Sequence, residues 1–204
     1  RLPALALGLG LTVTGLVPPP FADARLEDIE MPPGFVIEQV AEVPGARSLA
    51  LGPGGTVFVG TRKDDGSVYA VSGVANDAPA AVRVVDDGLR MPNGVALQGG
   101  DLYVAEVSRI LRYSDIENHL DDPPEPVVVT DAYPTDGHHG WKYIAFGPDG
   151  LLYVPVGAPC NVCEAEEPYS SITRLDVDTG RFEVFASGIR NTVGFDWHPD
   201  TGVL

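Results

Sequence analysis

Short apolar runs recur along the chain, and each is divided by a polar turn. An apolar pair precedes a Gly-Gly or Pro-Asp-Gly turn, and an aromatic or β-branched stretch follows it, as in Ala50–Val59. Glycine accepts the positive φ that tight reversals need, and β-branched and aromatic residues favour strands. Each run therefore predicts a β-hairpin. The residue before the turn falls at Leu51, Leu97, Phe146 and Trp197, at spacings of 46, 49 and 51 residues.

Further strands are predicted between these hairpins, which gives about four short strands per repeat. They cover residues 67–71, 81–85, 109–113, 126–130, 172–176 and 181–186, and only Ser114–Leu120 has the pattern of a helical turn. Four-stranded repeats of 40–50 residues are typical of a β-propeller. Residues 34–204 hold three full repeats and the start of a fourth. We therefore predict an all-β propeller, truncated to about three to three and a half blades.

The first 24 residues have the pattern of a secretory signal. Arg1 precedes an uncharged apolar run that Pro18-Pro19-Pro20 ends, and Ala22-Asp23-Ala24 matches a cleavage site. The run is short for a membrane span of about 20 residues, so a cleaved signal is favoured over an uncleaved anchor. Because the chain does not begin with Met, residues 1–24 are taken as part of a signal peptide. Residues 25–204 are expected to form the propeller and to work in the periplasm or outside the cell.

The net charge and the two cysteines limit which binding partners and cofactor sites are expected. A net charge of −16 repels phosphate backbones, so nucleic acid is not an expected partner. The two cysteines, Cys160 and Cys163, favour a disulfide in an exported protein. A c-type haem would need a histidine where Glu164 stands, and two cysteines cannot complete a four-ligand zinc site. A thioredoxin-like redox pair stays open but lacks its usual βαβ context.

Equivalent positions ahead of the inner strands carry polar side chains. The inner strands of a propeller lie along its channel, so residues just before them meet at one mouth. Seven residues before the four alignment points lie Pro44, Arg90, His139 and Arg190. We predict that the last three form one pocket, with Lys142 and Asn191 beside them.

This pocket would be positive in an acidic protein. It should attract a carboxylated ligand, and the arginines should keep His139 neutral and able to act as a general base. The alternative is that His139 only caps a loop. His138 competes for the role, but strand alternation would turn it away from the channel if this segment is extended.

Trp141, Trp197 and Tyr153 are expected to be packing residues.

Three stretches resemble a known family. His138–Gly150 places a histidine a fixed distance before a Gly-Pro-Asp-Gly turn, and Gly188–Asn191 ends in an Arg-Asn pair. Arg90–Ala96 and Glu106–Tyr113 are the third stretch. In these residues the chain is similar to the glucose/sorbosone dehydrogenase family, and the third stretch is closest to its L-sorbosone dehydrogenase branch. The resemblance spans roughly residues 33–204.

The resemblance implies a six-bladed propeller that binds pyrroloquinoline quinone (PQQ) with calcium over the channel mouth. His139 would take the proton from the sugar C1 hydroxyl while hydride passes to the quinone. Arg190 would lie by the quinone carbonyl, and Asn191, Arg90 and Lys142 would help to hold the cofactor. The family's calcium ligands would lie beyond residue 204. A sugar substrate and an electron acceptor such as a quinone or cytochrome are the implied partners, and the 204-residue chain is expected to be inactive by itself.

Two departures from the family leave glucose specificity open. His138 stands where the soluble glucose dehydrogenase has an acidic residue, and its sugar-contacting glutamine has no match near Leu89-Arg90. The Cys160–Cys163 loop is expected in the sorbosone-like branch.

Two alternative functions stay open beside the dehydrogenase activity. A metal-dependent propeller lactonase needs carboxylate and Asn ligands, whereas the convergent positions here are Arg, His and Arg. A non-catalytic NHL-type propeller that binds carbohydrate or protein explains the repeats and the signal, but it does not explain His139 and Arg190 in register.

Overall fold

A computed structural model describes residues 26–74 and 79–204, which fall into two units. The described part of the first unit, residues 26–39, contains a short 3₁₀ helix, η1 (Leu26–Asp28). The second unit, Val40–Leu204, contains all the described strands. The predicted signal segment, residues 1–24, lies outside the described residues. In the part of the chain that is described, no helix is long and apolar enough to cross a membrane.

The second unit contains three antiparallel sheets of four strands, each in simple chain order. The first sheet consists of β1 (Ala46–Leu51), β2 (Val57–Thr61), β3 (Gly66–Ser72) and β4 (Ala81–Leu89). The second consists of β5 (Gly94–Gln98), β6 (Asp101–Ala105), β7 (Ile110–Tyr113) and β8 (Val127–Thr130). The third consists of β9 (Ala145–Phe146), β10 (Leu152–Val156), β11 (Ser171–Asp176) and β12 (Arg181–Ser187). Four-stranded meanders of this kind are propeller blades, which confirms the fold that the repeat predicts.

The predicted turns close the first hairpin of each sheet. Leu51 pairs with Val57, Gln98 with Asp101, and Phe146 with Leu152. A fourth turn follows, in which the His198 N–H donates to the Val203 carbonyl at 2.8 Å. The predicted helical turn contains a 3₁₀ helix, η2 (Ile116–Asn118).

Strand β4 is longer than the prediction, which ended it at residue 85. Pairing continues past two aspartates to Leu89, with register shifts where Val68 lies opposite Asp86. An edge strand tolerates charged residues because one side faces solvent. Asp86 also accepts a hydrogen bond from the Tyr113 hydroxyl of the second sheet, which gives this carboxylate a partner across the blades.

Side chains of the second sheet alternate between two hydrophobic clusters. Leu102 and Val104 pack in the cluster shared with the first sheet, whereas Tyr103 and Ala105 pack in the cluster shared with the third. Successive residues of a strand point to opposite faces, so β6 is buried on both. This explains why its sequence is an uninterrupted apolar run.

The first strands of the three sheets are neighbours. β5 contacts both β1 and β9, as expected of inner strands beside a common channel. Ala46 pairs with Thr61, and Gly94 with Ala105, so in the first two sheets the start of the inner strand lies beside the end of the second strand. We call this end of the sheets the mouth end. The loops before β5 and β9, and the residues after β2, β6 and β10, all lie there.

Candidate active site at the mouth end

His139 lies in a turn of the loop between β8 and β9. Its φ of 51° is in the left-handed region, and the Gly140 N–H donates to the Gly137 carbonyl at 3.1 Å. The segment is therefore not extended, so the condition under which alternation would turn His138 away from the channel is not met. The two imidazole centroids are 4.1 Å apart. The physical reason is that glycines on both sides of the two histidines favour a turn over a strand.

A backbone carbonyl fixes the tautomer of neutral His139. Its Nδ1 lies 2.8 Å from the carbonyl oxygen of Ala158. A carbonyl only accepts hydrogen bonds, so Nδ1 carries the proton and donates it. In the neutral ring the lone pair is then on Nε2. The half-buried His139 side chain thus has one nitrogen anchored and the other able to take up a proton.

Gly157 and Ala158, directly after β10, join His139 to the Arg190 segment. The Ala158 N–H donates to the Arg190 carbonyl at 2.8 Å, while the Ala158 carbonyl accepts from His139. A Cβ on Gly157 would lie 2.5 Å from the His139 Cβ and 2.9 Å from Asn191 Oδ1. His139, Arg190 and Asn191 are therefore brought together around this pair. Sequence reasoning missed the pair, although the register of the second strands would have indicated it.

Arg190 is held by the loop that the two cysteines close. Cys160 and Cys163 are joined by a disulfide, and Asn161 lies between them. Arg190 Nη2 donates to Asn161 Oδ1 at 2.8 Å, and Arg190 Nε donates to the Asn161 backbone carbonyl at 3.1 Å. This loop and Arg190 line a cavity of about 490 Å³. Asn161 is a second residue that sequence reasoning missed.

The Arg90 side chain contacts the backbone of the loop that carries His139. Its Nη1 donates to the Thr135 carbonyl at 2.9 Å, and its Nε lies 3.7 Å from an Asp64 carboxylate oxygen. The Arg90 backbone N–H donates to Glu106 at 2.7 Å, and Arg109 Nε donates to the same carboxylate at 2.6 Å. Glu106 is buried and was also missed from sequence. It fixes the backbone at the start of the second blade.

Lys142 lies beneath the loop and does not line the cavity. Only 2% of it is exposed, its Nζ donates to the Gly140 carbonyl at 3.1 Å, and Nζ is 5.5 Å from the Tyr133 ring centroid. Burial lowers the pKa of Lys142 to about 8. Its predicted contact with a cofactor stays a prediction.

Two arginines outside the predicted set lie over Trp141. The guanidinium carbons of Arg47 and Arg62 are 4.6 and 4.9 Å from the indole centroid. Cation–π contacts of this kind stabilise the packing of a buried indole. Trp141 is buried, in agreement with its predicted packing role.

Replacing Lys142 by Met should raise the free energy of unfolding at pH 7. The folded-state pKa of about 8 lies below the ordinary 10.5, so between these pH values the unfolded chain binds more protons and stability rises with pH. The gain from Lys142→Met is largest below pH 8, at most about 3 kcal/mol, and shrinks toward pH 10.5. Urea unfolding at pH 7 and pH 10 measures it, with exposed Lys63→Met as the control. A loss of stability at pH 7 would contradict this account.

Comparisons with known proteins identify the fold. No protein-family model matches the chain. An uncharacterised protein of Borreliella burgdorferi is 24% identical over 192 residues, which cover 87% of this chain and 48% of that protein. A Thermus thermophilus protein assigned as an oxidoreductase (glucose dehydrogenase) superposes with a TM-score of 0.59 at 22% identity, covering 80% of this chain and 57% of that one.

Two PQQ-containing structures superpose similarly. The PQQ-bound aldose sugar dehydrogenase of Streptomyces coelicolor gives a TM-score of 0.55 at 20% identity, covering 71% of this chain and 48% of that one. The holo PQQ domain of Coprinopsis cinerea pyranose dehydrogenase gives 0.56 at 14% identity, covering 66% and 34%. The chain has the propeller fold of these proteins. The chain spans 34–57% of the length of these three solved proteins, and its assignment to the sorbosone branch stays a prediction.

Residues 26–74 and 79–204 contain no group of three or more His, Cys, Asp or Glu side chains placed to hold a metal ion. The calcium ligands predicted beyond residue 204 stay a prediction.

Proposed function

We propose that this chain is part of a PQQ-dependent dehydrogenase that oxidises an aldose or a sorbosone-like sugar at its C1 hydroxyl or aldehyde. The observation that carries the proposal is the linkage through Ala158. It anchors His139 Nδ1, leaves Nε2 as the proton acceptor and ties this histidine to the Arg190 segment. Proteins of the same fold that contain PQQ support the choice of cofactor.

The polar groups at the mouth end fit a tricarboxylate such as PQQ. Arg190 and Arg90 are exposed, and a guanidinium can donate two parallel hydrogen bonds to one carboxylate. Asn191 lies against the same glycine as His139 and would add an amide contact. When bound, the quinone would supply the two-electron acceptor for the hydride that leaves C1. Calcium belongs to this proposal, with ligands supplied from outside residues 1–204.

His139 and Arg190 would have separate roles. His139 Nε2 would take the proton of the C1 hydroxyl, and the imidazolium would keep its Nδ1–H bond to Ala158. General base catalysis of this kind raises the reaction rate about 10²- to 10⁴-fold. The Arg190 guanidinium would stabilise the negative charge that develops on the acceptor side.

The proposed cellular location rests on the predicted signal segment. Residues 1–24 would direct the protein to the periplasm or the cell exterior. In that compartment, an acceptor such as a quinone or cytochrome would reoxidise the reduced cofactor.

Addition of PQQ to the intact protein, with calcium present, tests the proposal. Dye reduction is followed over a panel of aldoses and sorbosone, and quinone binding is titrated separately. The expected result is turnover that requires both quinone and sugar. Binding without turnover would retain the cofactor but reject the sugars tested. An absence of binding would overturn the proposal in favour of a non-catalytic propeller.

A further inference from the structure

Asn161 contacts both Arg190 and His138, which no sequence pattern predicts. Its side-chain oxygen accepts from Arg190 Nη2 at 2.8 Å and lies 3.3 Å from His138 Nε2, while its backbone carbonyl accepts from Arg190 Nε at 3.1 Å. An arginine has only donors, so the Asn161 atom facing it is the amide oxygen. One exposed residue thus holds the edge of the Arg190 guanidinium that Nε and Nη2 form.

The loop that carries Asn161 has little packing of its own. Val162, at its tip, is 97% exposed. The Cys160–Cys163 disulfide closes the chain immediately around these two residues. A covalent link therefore restricts a loop that apolar burial does not hold, and this keeps both oxygens of Asn161 in place.

We infer that Asn161 is a positioning residue for Arg190, with the disulfide-closed loop as its support. This rests on the proposed role of Arg190. A long arginine side chain loses rotamer entropy when it is fixed, and a charged group displaced by about 1 Å can cost 10²-fold in rate. The two hydrogen bonds that Arg190 donates to Asn161 orient the guanidinium before substrate arrives, so less ordering remains for the transition state.

A double-mutant cycle in the intact protein tests this inference. With PQQ saturating, Asn161→Ala should lower kcat about 10- to 100-fold and leave the sugar KM within about threefold. Asn161→Asp retains the acceptor oxygen and should recover most of the rate. Val162→Ala, in the same loop, is the matched control and should leave kcat unchanged.

The Arg190→Ala background separates positioning from a merely structural role. If Asn161 acts through Arg190, Asn161→Ala should cause no further loss once that guanidinium is absent. An equal loss in both backgrounds, or an unchanged kcat in Asn161→Ala alone, would overturn the inference.

A readout without cofactor keeps the inference testable if the proposed function fails. In side-chain nitrogen NMR spectra, the Arg190 Nε–H signal is assigned by its loss in Arg190→Ala. Its hydrogen exchange should be at least about tenfold slower than in the Cys160→Ser/Cys163→Ser variant, because the closed loop protects it. Equal exchange rates would contradict the inference, whereas an absence of sugar turnover in the unmodified protein would reject only the proposed function.

Discussion

Replacing His139 by Asn is expected to lower the kcat of quinone-dependent sugar oxidation by about 10²- to 10⁴-fold. Asparagine is suited to this test for two reasons. It tolerates the left-handed backbone at this position, where φ is 51°. Its side-chain N–H₂ can also replace Nδ1–H as the donor to Ala158. The substitution therefore keeps the anchor and removes only Nε2, the atom proposed to take the proton.

The control is the adjacent histidine. His138→Asn removes the contact with Asn161 but leaves His139 and its Ala158 bond, so we expect a loss of about tenfold or less. Steady-state dye reduction at saturating quinone and sugar gives kcat, and a quinone titration checks that cofactor affinity is retained. If His139→Asn keeps more than about a tenth of the wild-type rate, His139 is not the base and only caps its loop.

Most of the fold could be predicted because the signal is repeated. Three turns of similar composition fall at nearly equal spacing, and each is followed by β-branched and aromatic residues that favour a strand. The predicted hairpins at Leu51, Leu97 and Phe146 are all present. The extension of β4 through Asp86 was not predictable, because it depends on a partner, Tyr113, that only the neighbouring blade supplies.

Part of the site followed from the same register. Arg190 and His139 occupy equivalent positions, and their segments meet through the Ala158 backbone. The role of Ala158 has no sequence signature because it depends on peptide groups and not on a side chain. The orientation of His138 could not be predicted by strand alternation, because the segment is a turn and not extended. The burial of Lys142 depends on packing against Tyr133, which hydropathy alone does not indicate.

Replacing Gly157 by Ala is expected to lower kcat about 10²-fold and to reduce the free energy of unfolding by about 1–3 kcal/mol. The new methyl would lie 2.5 Å from the His139 Cβ, 2.8 Å from the His139 carbonyl oxygen and 2.9 Å from Asn191 Oδ1. The two His139 atoms are a Cβ and a backbone oxygen, so at these contacts there is no flexible side-chain end that could move aside. Relief requires the His139 turn to move away from Ala158 and the Arg190 segment.

Gly194 supplies the matched control for this substitution. It lies three residues after Asn191, nothing is within 4 Å of its Cβ position, and its φ is outside the left-handed region. Gly194→Ala should therefore leave both kcat and stability near wild type. Dye reduction measures the rate, and urea unfolding separates a displaced catalytic turn from a general loss of folding. Full activity in Gly157→Ala would mean that the His139 turn can shift without cost, and the close approach of His139 and Asn191 would then have no part in catalysis.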